Sequence, residues 1–333
     1  MLIKIHNKYY DISDFIQEHP GGSKILASCE GLDATAAFES YHSLADINKI
    51  KSIMKKYECS NPEYEIESQD FTFLESGFYN NLREKVRNHF KNKNTKWTYP
   101  WLGYFTTTFT VYAGTFLYTF LGTEQPFAYR AITSFIAGTA LLSSMFQVFH
   151  DASHSAISKN KEINNNLSLV GASLLFWDSN IWIKHHSVLH HSYTGNYKLD
   201  PDLRYSHPLF KKHPKSKANI ITNYIAFPML LSVFPGMHFG QVLVYLYSQI
   251  KKKYLCYSIS ERKTLIEWII ILSQMSMMYY GNSLLLVIIF LLSGNINYSI
   301  AILPDHDQLE TRLNSEIDSE IDSENNKKII KKD

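Results

Sequence analysis

The sequence predicts two dissimilar parts in one chain: a small soluble N-terminal domain, then an all-α multi-pass membrane domain of about four transmembrane helices with additional interfacial helices. Three observations predict this. Long uncharged stretches are concentrated between residues 101 and 303, whereas the first 60 residues are polar and turn-rich. Short Lys/Arg clusters recur at the ends of those stretches, the pattern of one membrane face. The histidines gather beside the same ends, at 150–154 and 185–191.

Bulk properties exclude several classes. The formal net charge is +2 and the lysines form short clusters, which argues against nucleic acid as a partner. Three separated cysteines, Cys29, Cys59 and Cys256, lack metal-site spacing and indicate a reducing compartment. The first residues contain no apolar signal-peptide core, so the N-terminal domain is expected in the cytosol.

Residues 1–75 are assigned to the soluble domain. His19-Pro20-Gly21-Gly22 is a turn in which proline fixes one dihedral and glycine permits conformations closed to other residues. His42 follows 23 residues later, after Asp33-Ala34-Thr35 and Phe38, and precedes Ser43. Two histidines beside such turns could ligate a flat cofactor from opposite sides. Residues 76–100 are assigned to a linker, with a helical pattern near Phe78–Phe90 and a basic cluster at Lys91, Lys93 and Lys96.

The membrane domain is assigned to 101–310. Trp101–Gly122 has 22 uncharged residues, enough to cross a hydrocarbon layer of about 30 Å at about 1.5 Å per residue. Ala131–Phe149 gives 19 more and runs directly into His150. Residues 167–177 are apolar but too short to span, and are expected to lie along the interface. The uncharged stretch 218–250 has basic flanks at both ends and a Pro235-Gly236 break, so it is read as interfacial or re-entrant. Thr264–Leu303 has one charge in 40 residues, Glu267, and a Gly281-Asn282 turn, the pattern of a helical hairpin. The tail, 311–333, is low in complexity and is expected to be disordered.

His150 and His154 are spaced i, i+4, the device by which two imidazoles on one helix share a metal. His186 and His190 have the same spacing, and on an α-helix they would share a face with His191 beside it. His306 lies just past the last span. Imidazole suits Fe, Zn, Cu or Ni, so ligand type does not choose the metal.

With these motifs in place, residues 1–60 resemble cytochrome b5, on the His-Pro-Gly-Gly, Asp-Ala-Thr, Phe and His-Ser pattern. The resemblance implies a small α+β domain holding haem b with His19 and His42 as axial ligands, a six-coordinate iron suited to electron transfer. Residues 150–154 and 186–191, followed by Tyr193-Thr194 and Asp200-Pro201-Asp202-Leu203, resemble the membrane fatty-acyl desaturases. With the fused haem domain they are most similar to the front-end acyl-lipid group. That resemblance implies a non-haem di-iron centre, O2 as co-substrate and removal of two vicinal hydrogens from a membrane acyl chain. It implies electrons from an NADH-dependent cytochrome b5 reductase. It also implies a multi-pass location in the endoplasmic reticulum or another endomembrane, with haem and histidine boxes facing the cytosol. Carried over by motif position, His150, His154, His186, His190, His191 and His306 are iron ligands, and Asp151, Asp200 and Asp202 orient imidazoles. His185 is expected not to be a ligand.

The family's third histidine box has no counterpart, since no histidine follows His306. The expectation is therefore an incomplete iron shell and a chain inactive by itself, unless a separate chain supplies the box. The alternative is a membrane-anchored cytochrome b5-type electron carrier without desaturase activity of its own.

Overall fold

The computed structural model describes residues 1–68, 73, 77–194, 200–204, 243, 245–254, 257, 258 and 262–306. The Pro235-Gly236 break and most of the predicted 218–250 segment, His207, His213, His238 and the 311–333 tail lie outside the described residues.

The N-terminal domain is built on a three-stranded antiparallel sheet in the order β1-β2-β3. β1 (Leu2–Ile5) and β2 (Lys8–Asp11) form a hairpin in register Leu2↔Asp11. Its two-residue turn is His6-Asn7, both at positive φ, as a right-twisted hairpin requires. β3 (Glu58–Cys59) returns to pair with β2. Between β2 and β3 lie the helices α1 (Ser23–Ala27), α2 (Thr35–Tyr41) and α3 (Ile47–Met54). Ile3, Ile5, Tyr10, Ile12, Cys29, Ala34 and Phe38 form the core. That sheet with flanking helices is the α+β arrangement expected.

Residues 76–100, predicted as a linker, contain helix α4 (Phe78–Phe90). It packs on the haem-type domain through its cations. Arg83 Nη1 donates to the buried Glu39 carboxylate, and Arg87 Nη2 donates to the carbonyls of Ser43 and Ala45 at 3.0 Å each. Those carbonyls follow the end of α2, where backbone acceptors lack helical donors.

The remainder is almost entirely helical. α5 (Tyr99–Leu121) starts at Thr98, whose hydroxyl accepts from Trp101 N, with Pro100 in the first turn. α6 (Phe127–Leu141) passes through one π-helical turn, Leu142–Phe146, into α7 (Gln147–Ser153). Phe127–Ser153 together is, among the described residues, the one helix long and apolar enough to cross a membrane. α8 (Lys161–Leu174) and the short α9 (Ser179–Trp182) follow, then a π-helical segment Ile183–His190, α10 (His191–Tyr193) and α11 (Pro201–Arg204). A small ribbon, β4 (Lys253–Tyr254) with β5 (Tyr257–Ser258), precedes the hairpin of α12 (Leu265–Tyr280) and α13 (Leu284–His306).

Glu267, the one charge in the hairpin, closes a capping box with Thr264 at the start of α12. Residues 167–177, expected along the interface, leave Val170 exposed, but most of 171–177 is buried in the protein. Gly171 lies against Phe149, and Leu175, Phe176 and Trp177 join the central core. The cause is contact with α7, which covers the apolar side of α8.

α6 lies between α5 and α13. Gly138 permits this, because a Cβ there would sit 1.9 Å from Phe290 O and 2.2 Å from Ser293 Oγ. Small residues let helix backbones approach in this way. Arg130, buried near the start of α6, donates to Thr119 O (2.9 Å) and Gly281 O (2.6 Å) and ties three helices together. The outward faces are apolar: Tyr129, Ile132 and Phe135 on α6 and Leu265, Ile269 and Leu272 on α12 are all exposed.

Candidate metal and haem centres

The haem-type pair comes first in the chain. The rings of His19 and His42 have centroids 6.1 Å apart. Two metal–imidazole bonds of about 2 Å plus two ring radii of about 1 Å give about 6 Å, so one iron fits between them. His19 Nδ1 is 3.2 Å from Gly22 O and His42 Nδ1 is 2.8 Å from Phe38 O, which leaves each Nε2 for ligation. Gly21 is required there, since a Cβ would lie 2.8 Å from His19 Cε1, and Gly22 sits at φ +95°. Burial is the main cause lowering the pKa of both imidazoles, favouring the neutral, ligating form.

The second centre is a cluster of His150, His154, His186 and His191, each offering one ring nitrogen within 4.8 Å of the others. A single ion with bonds of about 2.1 Å holds its donors within about 4 Å of one another, so the four are nearly at ligating distance. His150 and His154 come from the end of α7, with ring centroids 4.7 Å apart, as i, i+4 spacing requires. The other pair departs from the α-helical expectation. Because Ile183–His190 is π-helical, with i→i+5 bonding, His186 meets His191 rather than His190. Their Nε2 atoms are 3.0 Å apart, and the ring centroids are 4.5 Å apart, against 5.5 Å from His186 to His190.

His190 is thereby turned to the carboxylates. Its Nδ1 lies 2.9 Å from Asp200 Oδ1 and 3.4 Å from Asp202 Oδ2, with His190 and Asp200 both almost fully buried. These three form a second group of metal-ligand type. Asp202 also reaches His185 Nε2 at 2.7 Å. Asp151 is shared between His150 Nδ1 (3.1 Å) and Trp101 Nε1, which donates at 2.8 Å. His306 ends α13; its side chain lies outside the described residues.

The cluster fits a metal in three respects. His154 Nε2 is buried with no hydrogen-bond partner, a cost that a bound cation removes. Burial, reinforced by neighbouring imidazoles, pushes His154 down to about 3, and burial likewise lowers His186. In addition, His150 and His154 each engage a partner through Nδ1, as does the neighbouring His190, which leaves Nε2 to a metal.

Sequence reading missed the aromatic surround. Trp182 stacks on His186 at 4.3 Å and Phe146 on His150 at 6.0 Å. It also missed Tyr41, whose hydroxyl is 3.0 Å from His154 Nδ1. The only signal for Tyr41 was its place beside His42.

Residues 125–320, more than half of the chain, match the model of the fatty acid desaturase family. The chain belongs to the fatty acid desaturase family. Residues 1–61 match the cytochrome b5-like haem/steroid binding domain. Among similar proteins, this desaturase-family chain is 33% identical over 211 residues to "Delta(5) fatty acid desaturase A" and 31% over 214 residues to "Acyl-lipid (8-3)-desaturase B", both of Dictyostelium discoideum. It is 26% identical over 212 residues to "Delta(8)-fatty-acid desaturase 2" of Arabidopsis thaliana. These alignments take in 60%, 61% and 63% of the chain and 43%, 43% and 44% of the relatives. The chain thus spans less than half the length of these relatives. No solved structure matches.

The b5-like domain implies haem, and the family is membrane-associated and oxidoreductive.

Proposed function

We propose that this chain is an acyl-lipid desaturase-like oxidoreductase of the O2-dependent type, with haem b between His19 and His42 and a non-haem iron site in the histidine cluster. The single observation that carries the reading is the convergence of four histidines from two separate motifs within 4.8 Å, in a chain that also carries the haem-type pair. In this reading His150, His154, His186 and His191 are the first iron ligands, with His190 and His306 as further ligands of a two-iron site. Iron held there would supply the O2 activation needed to remove two vicinal hydrogens from an acyl chain.

The chain's own residues prepare that site. Asp200 and Asp151 hold His190 and His150 through Nδ1, and Trp182 and Phe146 stack on His186 and His150. We assign residues 1–75 to the haem domain and 101–310 to the membrane domain. The four spans are α5, α6–α7, α12 and α13, with the histidines at their cytosolic ends. The basic clusters at Lys91–Lys96, Lys159–Lys161 and Arg262-Lys263 support that orientation on an endomembrane such as the endoplasmic reticulum. The electron source is an NADH-dependent cytochrome b5 reductase, and the substrate is a lipid acyl group, as the names of the relatives suggest.

Two measurements test this. Purified protein is analysed for haem and non-haem iron, and acyl methyl esters of a yeast host expressing it are analysed by gas chromatography. Non-haem iron bound beside the haem is expected, with a new unsaturated acyl peak only where a separate chain supplies the third histidine box. A redox-active haem with neither iron nor new peak overturns the proposal in favour of the electron carrier.

A further inference from the structure

The haem domain and the membrane domain meet at the histidine cluster. Val188, between His186 and His190, is buried in the haem domain's core with Ile3, Cys29 and Phe38. Lys184 Nζ donates to Ser28 O, and Tyr193 Oη donates to Asp33 O at 2.8 Å. A Cβ at Gly22, in the turn that follows His19, would have Asn165 Nδ2 of α8 as its nearest neighbour, at 3.9 Å. Apolar burial and the hydrogen bonds of Lys184, Tyr193 and Tyr41 therefore join the two parts on one face.

Tyr41 belongs to that contact and reaches the histidine cluster itself. Its hydroxyl lies 3.0 Å from His154 Nδ1 and 3.5 Å from Ser187 O, and its ring stacks on the His154 ring at 6.2 Å. Ser187 O can only accept, so it takes the hydroxyl proton, and the Tyr41 oxygen is left to accept from His154 Nδ1. Accepting from His154 Nδ1–H fixes the tautomer in which Nε2 carries the lone pair. Nε2 is the ring atom left buried and unpartnered in the cluster.

We propose that Tyr41, a haem-domain residue, is a positioning residue for the metal site of the membrane domain: it fixes the His154 tautomer across the domain interface. Through it the haem ligand His42 is joined to His154 by one peptide unit and one hydrogen bond. The metal site is then fully formed only while the haem domain is docked. This inference rests on the metal-site reading above.

The test uses the full chain, with haem, purified in detergent and stripped of non-haem metal. Co(II) is titrated in and followed by its d–d absorption. Tyr41→Phe keeps the ring and removes the hydroxyl, and is expected to weaken Co(II) binding by about 10–100-fold, the usual effect of losing an outer partner of a ligating histidine. The haem Soret band and haem content are expected to stay unchanged. Lys184→Met removes a docking hydrogen bond that touches no cluster histidine and is expected to leave Co(II) affinity within about threefold. Equal affinity in Tyr41→Phe and wild type overturns the proposal, and so does an equal loss in Lys184→Met, which would mean general loosening. If wild type binds no Co(II), or His154→Ala binds it as well as wild type, the metal-site reading itself fails.

Discussion

Replacing Lys263 by methionine should unfold the membrane domain at markedly lower temperature while leaving the haem domain intact. The Lys263 ammonium is 1% exposed and sits 3.1 Å from Asp178 Oδ2 and 3.7 Å from Glu267 Oε1, whose side chains are 5% and 3% exposed. It also donates to Trp177 O at 2.8 Å. Both acids have structural duties. Asp178 Oδ1 accepts from Asn180 N and Ile181 N at the start of α9, which leads into the histidine segment, and Glu267 closes the cap of α12. Methionine removes the cation and strands two buried carboxylates. Breaking one such buried pair costs about 3–5 kcal/mol, a large part of a total stability of about 5–15 kcal/mol. At about 2–4 °C per kcal/mol, the melting temperature should fall by roughly 6–20 °C. The assay is thermal unfolding in detergent, with the Soret band read in parallel. The triple variant Lys263→Met, Asp178→Asn, Glu267→Gln keeps the capping acceptors and removes the stranded charge, and should recover at least half of the loss. A Lys263→Met melting temperature within 1 °C or so of wild type would refute the reasoning.

Other expectations are more local. Gly138→Ala should lower the melting temperature by roughly 2–12 °C, because α6 and α13 must part by about 1.4 Å to restore a carbon–oxygen contact near 3.3 Å, at an overpacking cost of about 1–3 kcal/mol; an unchanged melting curve would show that the interface yields freely. His19→Ala or His42→Ala should abolish the low-spin haem spectrum, and retention of that spectrum would remove the axial assignment. Burial raises the Cys29 thiol to about 11, partly offset by Lys184. In a Cys256→Ser background at pH 8, Cys29 should therefore label about a hundredfold more slowly than an ordinary thiol, while the partly exposed Cys59 labels readily; equal rates would contradict it. The sign for stability follows: the fold holds this proton more tightly than the unfolded chain, so stability is lost as pH rises from about 9 to about 11.

Much of the site was legible because its signals are local. A His-Pro-Gly-Gly turn needs Gly21 to clear the His19 ring, and i, i+4 spacing brings His150 onto His154 on an ordinary α-helical turn. The helical hairpin was equally plain, since a Gly-Asn turn between two uncharged runs admits few alternatives. The pairing of His186 with His191 was not legible, because nothing in their spacing announces a π-helical segment, and the α-helical assumption selects His190. Tyr41 was illegible for a different reason: its partner His154 is 113 residues away, and docking between domains leaves no periodic trace. The burial of 171–177 was missed because an apolar run reads the same against lipid as against another helix.

The central claim is that the four clustered histidines hold iron beside a bis-histidine haem. Non-haem iron, quantified by elemental analysis against haem in the same purified sample, tests it most directly. The account predicts iron in excess of haem iron in the wild-type chain, and loss of that excess in His186→Ala and His191→Ala with the Soret band intact. Iron equal to haem in the wild type, or an excess untouched by both substitutions, would contradict it.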